Sequence, residues 1–177
     1  DAADVWGGVR CQRGHRDEDD IVAVDVDQGT VTPIVDTPAA EGGATFSPDG
    51  RWMAYASDET GRQEIYVRAY PGPGGKWQLS TEGGRGARWS KDGTEVFYTI
   101  GTRMMSVPVE IEPSFSAGAP QELFQYPFFR RTFVPSADYD VAPDGESFLE
   151  AALRRMVVVL FDGDGPKRVE RQGDSRL

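Results

Sequence analysis

The sequence predicts an all-β chain: β-propeller blades, each a four-stranded antiparallel sheet, about four of them in 177 residues. Three observations carry this. First, a turn recurs: Phe46-Ser47-Pro48-Asp49-Gly50, then Trp89-Ser90-Lys91-Asp92-Gly93, then Val141-Ala142-Pro143-Asp144-Gly145. Each copy sits between two apolar runs. The first two copies start about 43 residues apart and the next interval is about 52, near the length of one four-stranded blade. Second, the 21 glycines and 12 prolines suit many short strands and turns better than long helices. Third, aromatic residues at 11% supply the apolar mass that a disordered chain lacks.

Read in order, the chain is one propeller segment, 1–177, with approximate blades at 1–40, 41–83, 84–126 and 137–171. Residues 1–20 read as irregular, with a strand piece at 4–9 and a charge-crowded loop from Arg13 to Asp20. Ile21–Val26 reads as a strand, Asp27-Gln28-Gly29 as a turn, and Thr30–Val35 as a second strand whose Pro33 favours an edge. This pair forms the last half of a first blade whose beginning is degenerate.

The second blade is the clearest. Gly43–Phe46 leads into the turn, where Pro48 presets φ, Asp49 bonds nearby amides and Gly50 accepts a left-handed conformation. Strands follow at Arg51–Ser57, Glu64–Tyr70 and Trp77–Ser80, the third after the Pro71–Gly75 loop. The third blade repeats the order with Gly86–Trp89, the turn at Asp92 and Gly93, then Glu95–Thr99, Arg103–Val109 and Gln121–Phe124. The fourth begins at Tyr139–Val141, turns at Pro143, Asp144 and Gly145, and continues through Glu146–Ala151 and Met156–Phe161 to a remnant at Arg168–Glu170. The longer last interval places extra residues within 111–137, a stretch rich in aromatics (Phe115, Phe124, Tyr126, Phe128, Phe129, Phe133) that reads as a crossover packed across blade edges.

Charge narrows the partners. A formal net charge of −10 disfavours nucleic acid and anionic membrane surfaces, since both need a basic field. Arg130-Arg131 and Lys167-Arg168 read as solvated bases. The most apolar run, Met156–Phe161, is far too short to cross a bilayer, so no membrane insertion is expected within this segment. Cys11 is the only cysteine, which excludes an intrachain disulfide and a thiolate zinc cluster. The chain starts at Asp1 and shows no signal peptide, as a mature or trimmed product would.

The residues 46–57, Phe-Ser-Pro-Asp-Gly-Arg-Trp-Met-Ala-Tyr-Ala-Ser, resemble the repeat of TolB-like, or WD40-like (PD40), β-propellers. Glu64-Ile65-Tyr66-Val67 and Gly74–Ser80 extend the match. The pattern is similar to the C-terminal propeller segment that follows bacterial serine/threonine kinase domains, over roughly residues 20–165. The resemblance implies a ring of six or seven blades, of which this chain holds part; a four-bladed ring, or blades completed by another chain, remain open. It implies protein-binding platforms, envelope proteins or gates beside peptidases, and a bacterial periplasmic or extracytoplasmic setting, with the cytoplasm also open. Open lateral edges would invite a homo-oligomer.

No catalytic residue, metal or cofactor is expected. Asp17, Glu18, Asp19 and Asp20 lack the register of a calcium loop and read as a solvated acidic loop; Asp25 and Asp27 read as turn polarity. A Ser-His-acid triad would need His15, the sole histidine, and no Gly-x-Ser-x-Gly elbow is present. Cys11 has no placed partner as a nucleophile. Asp49, Asp92 and Asp144 are explained by their turns, and Gly72, Gly74 and Gly75 before Lys76 precede a strand rather than a phosphate-binding helix. Binding through connecting loops is the remaining function. Its candidate contacts are Arg62, Tyr70, Trp77, Arg85, Arg88, Arg103 and Tyr126, with a core position as the competing reading of Trp77. The first expectation is a noncatalytic interaction scaffold or sensor with a protein or peptide partner. The alternatives are a small-ligand or glycan-binding propeller, or the gating propeller of a serine hydrolase.

Overall fold

Strand-forming residues in runs of about six, punctuated by Gly, Pro and Asp, dictate short antiparallel strands. The computed structural model bears this out over the residues it describes: 9–13, 19–24, 28–72, 74–125, 139–142, 147–152, 155–162 and 165–171. Among them the chain is all-β, in four antiparallel sheets that follow one another along the sequence. The first holds β1 (Val9–Arg13), β2 (Asp19–Val24) and β3 (Val31–Val35). The second holds β4 (Glu41–Phe46), β5 (Trp52–Ser57), β6 (Glu64–Ala69) and β7 (Lys76–Gln78). The third holds β8 (Arg85–Trp89), β9 (Glu95–Ile100), β10 (Arg103–Glu110), β11 (Ser116–Ala117) and β12 (Gln121–Gln125). The fourth holds β13 (Tyr139–Val141), β14 (Ser147–Ala152), β15 (Arg155–Asp162) and β16 (Gly165–Arg171).

Three expectations need correction. Val9–Arg13 is a strand, not irregular chain, and Asp19 and Asp20 belong to β2 rather than to an acidic loop, because Arg13 pairs with Asp19 and Gln12 with Asp20. The period-two alternation of Val9 and Cys11 with Arg10 and Gln12 carried that signal beneath the charge. The third sheet has five strands: β10 is long enough to pair β12 along Arg103–Ser106 and β11 at Val109 and Glu110. The end of the fourth sheet is a full strand, β16, rather than a remnant.

The sheets pack in chain order, β2 on β4, β4 and β5 on β8, and β8 on β13. Side chains alternate across each strand, so a middle strand buries both faces. In β5, Met53 and Tyr55 join Ile21, Val35 and Tyr66 against the first sheet. Ala54 and Ala56 join Ile65, Val67, Val96 and Tyr98 against the third. Phe97 turns the other way, with Met104 and Phe124, onto Tyr139 and Phe148 of the fourth. This explains why β5 and β9 read as continuous apolar runs. A buried Met53 or Phe97 stabilises the fold by roughly 1.5–3 kcal/mol.

The aromatic stretch after β10 has one clear role. Phe115 is buried against Trp52 and Trp77 of the second sheet, at ring-centroid distances of 5.0 Å to each. Trp52 and Trp77 meet edge-on at 5.4 Å. The crossover thus closes over one end of the neighbouring sheet.

Candidate functional site

Antiparallel connectivity gives each sheet two ends with different connections. One end carries the repeated turns. Ser47 and Ser90 are buried, and their hydroxyls donate to Asp49 Oδ1 at 2.6 Å and Asp92 Oδ1 at 2.7 Å. Each serine oxygen also accepts a backbone amide across the turn, Trp52 N–H at 3.0 Å and Glu95 N–H at 2.9 Å. The amides of Gly50 and Gly93 close on Ser47 and Ser90 carbonyls, and both glycines sit at positive φ, 73° and 75°. Asp49 is pushed up by burial, but bonds from Ser47 and from the Arg51 amide and guanidinium outweigh that and lower its pKa. Bonds from Ser90 and Thr94 lower that of Asp92. These carboxylates are consumed by the turns. Pro48, at 3.4 Å from where a Cβ on Gly93 would stand, shows that the two turn ends lie side by side.

The sequence-selected residues divide between the ends. Tyr70 is near the turn end, its ring edge-on to Phe46 at 4.7 Å. Trp77 is half-buried in the cluster with Trp52 and Phe115. Arg88, on β8, donates through Nη1 to its neighbour Ala87's carbonyl at 3.0 Å and lies near Tyr139, whose hydroxyl burial pushes up and Arg88 pulls down. Arg62, Arg85 and Arg103 gather at the opposite, loop end. Tyr126, Pro143, Asp144 and Gly145 lie outside the described residues, as do His15, Asp17, Glu18, Asp25 and Asp27.

At the loop end, the β5–β6 connection (58–63), the β7–β8 crossover (79–84) and the β9–β10 turn enclose a cleft of about 380 Å³. Arg62, Gln63, Glu82, Gly83, Gly84, Arg85 and Thr99–Gly101 line it. A buried carboxylate holds two of these lining residues, Arg62 and Gly83. Glu64, 1% exposed, accepts the Ser80 hydroxyl, the Gly83 amide at 3.0 Å and Arg62 Nε at 2.6 Å. Arg62 Nη2 also donates to the Thr81 carbonyl. Glu82 of the cleft wall takes Arg103 Nη2 at 3.4 Å, and Arg103 Nη1 reaches Glu122 Oε2 at 3.7 Å. Tyr98, behind this wall, is pushed up to about 12 by burial, with Glu64 adding to the shift.

Sequence reasoning selected the three arginines but missed Glu64, Glu82 and the Gly83-Gly84 turn. Glu64 was legible only as a charge opening an apolar strand; its partners come from the far side of β7. A second buried carboxylate, Glu41, takes the Thr37 hydroxyl and, at 3.4 Å, the Ser57 hydroxyl, while Oε2 has no hydrogen-bond partner among the described residues. Burial raises its pKa. Among the described residues no group of three or more His, Cys, Asp or Glu could hold a metal ion, and no helix is long and apolar enough to cross a membrane.

No protein-family model matches the chain, and no curated protein matches it. Solved structures do. TolB from Acinetobacter baumannii superposes with a TM-score of 0.60 at 16% identity, over 91% of this chain and 40% of that one. A protein described as a putative TolB from Agrobacterium tumefaciens gives 0.61 at 17% identity, over 92% and 59%. Hydrazine synthase from Kuenenia stuttgartiensis gives 0.55 at 12% identity, over 86% and 54%. The chain is thus distantly similar in fold to TolB-like β-sheet proteins and spans about half the length of such structures.

Proposed function

We propose that this chain is a noncatalytic interaction scaffold: successive propeller blades that hold a protein or peptide partner on their loop end. The observation that carries the reading is the division of labour between the two ends. Polar groups of the repeated turns are absorbed in holding the strands. At the loop end two arginines, Arg62 and Arg85, line an open cleft between neighbouring sheets, and a third, Arg103, pairs with Glu82 of its wall. Clefts between structural units are common binding positions, and resemblance to TolB-like propellers adds a family that includes protein-binding platforms. The four sheets are read as blades 1–40, 41–83, 84–126 and 137–171 of a larger ring, in a bacterial extracytoplasmic setting. Self-association through open lateral edges belongs to the same reading.

The test is affinity capture by the purified chain, comparing wild type with charge reversal at each end. A defined partner retained by wild type and by Lys91→Glu at the turn end, but lost from Arg85→Glu with Arg103→Glu, supports the scaffold. A saturable sugar or small-molecule ligand with no protein partner would replace it with the ligand-binding reading. Light scattering tests the edge contact: a monomer at every accessible concentration removes self-association.

A further inference from the structure

The loop-end cleft has a specific chemistry, and we propose that it receives the carboxylate of a peptide, with Glu82 as the built-in occupant that the ligand displaces. This rests on the scaffold reading and names the partner's recognised group.

Three observations support it. First, Arg62 is held in place. Glu64 takes Nε at 2.6 Å and the Thr81 carbonyl takes Nη2, whereas Nη1 makes no hydrogen bond among the described residues. The side chain is still 58% exposed. A guanidinium fixed on two nitrogens and open on the third is a pre-organised donor, because its rotamer entropy is already spent in folding.

Second, the third sheet is cut low here. The second sheet closes its β5–β6 hairpin with Ser57 opposite Glu64 and a connection over 58–63. The third closes the equivalent hairpin with Ile100 opposite Arg103, through Gly101 and Thr102 alone. Gly101 of the short turn and Arg62 and Gln63 of the longer connection both line the cleft. The short turn also places Arg103 at the post that Glu64 holds next door.

Third, the arginines already choose carboxylates. Arg103 pairs with Glu82, whose side chain is 72% exposed, at the long distance of 3.4 Å. Such an exposed pair is weak and exchangeable. Planar guanidinium donors bind carboxylates through two parallel bonds, so an incoming carboxylate that takes Arg103 and Arg62 together makes better bonds than Glu82 does. The cleft's volume suits one or two peptide residues rather than a larger ligand. The net charge of −10 opposes an acidic partner at long range, so recognition depends on these local bonds.

The experiment is fluorescence anisotropy on the full chain with three labelled peptides. One is C-terminally amidated and carries consecutive glutamates; one is neutral with a free C-terminal carboxylate; one is the amidated glutamine counterpart of the first. Binding of the first assigns the carboxylate to acidic side chains, and binding of the second assigns it to a chain terminus. Glu82→Gln is expected to tighten binding about two- to fivefold, since it frees Arg103 Nη2 while Nη1 stays with Glu122. Arg103→Gln is expected to weaken it about tenfold. Arg103 lies outside the buried Glu64 network, and a thermal melt of each variant confirms folding. The gain from Glu82→Gln is a result that a merely structural role would not produce.

Equal binding of the glutamine peptide, no binding of either carboxylate peptide, or weaker binding by Glu82→Gln overturns the proposal. So does inorganic phosphate competing better than glutarate. A captured partner that ignores both substitutions leaves the scaffold standing and removes the carboxylate site. Peptide binding in the cleft with no captured partner does the reverse.

Discussion

The second and third sheets agree at one end and differ at the other. At the turn end they superpose residue for residue in role: Ser47 and Ser90, Asp49 and Asp92, Gly50 and Gly93 make the same bonds. Even the irregularities recur, with a register shift between Gly42 and Thr45 in one and between Arg85 and Arg88 in the other. At the loop end a buried glutamate in one sheet is replaced by a half-exposed arginine in the other. A turn must solve the same backbone problem in every sheet. A connection facing solvent has no such constraint, and there the chain has room for recognition.

Substitutions can break or sharpen this contrast. The largest effect is expected from Phe115→Ala. It empties the pocket between Trp52 and Trp77 and should cost about 3 kcal/mol in denaturant unfolding. A negligible cost would mean the crossover does not bind the third sheet to the second.

Glu64→Ala comes next, at about 2–3 kcal/mol, because Ser80 and the Gly83 amide lose their acceptor in a buried place. At the matching post, Arg103→Ala should change stability by less than about 0.5 kcal/mol, its ion pairs being exposed. Equal costs at the two posts would erase the distinction between the sheets.

Gly50→Ala and Gly93→Ala should each cost about 1 kcal/mol, and by similar amounts, since both force a side chain into positive φ. Unequal costs would show that the repeated turn is not one device.

The smallest effect is in pH dependence, and its sign differs between carboxylates. Asp49 and Asp92 are lowered from 3.8, so their stabilisation is present above that value and is lost as pH falls through their lower folded values. Glu41 is raised from 4.5 by burial, so its contribution is present below 4.5 and is lost as pH rises through its higher folded value. Melting curves of Glu41→Gln against wild type should therefore converge on the acid side and favour the variant near neutrality. An unchanged difference across pH would remove Glu41 as the source.

Much of the fold was legible because it rests on local rules. Ser-Pro-Asp-Gly and Ser-Lys-Asp-Gly state their turns in four residues, and the runs between them state their strands. Val9–Arg13 was obscured because neighbouring charge outweighed a short alternation, and its partner strand decided the matter. Ser116–Ala117 has no strand signal of its own; it pairs because β10 runs past the end of β12. At the candidate site, arginine identity was legible but proximity was not. Tyr70, and Trp77 with its competing core reading, were sequence candidates beside the arginines and lie at the other end.

The sequence by itself determined the repeated turns, the middle strands buried on both faces and the acidic balance, since backbone preference, hydrophobic period and charge act over a few residues. Only the tertiary structure decided which residues share the loop-end cleft. Arg62, Glu82 and Gly101 line it from three connections of two sheets, with Arg103 paired to Glu82, and their meeting depends on how those sheets stack and on how short the turn at Gly101 and Thr102 is. Stacking is set by burial summed over whole faces, which no local pattern reports.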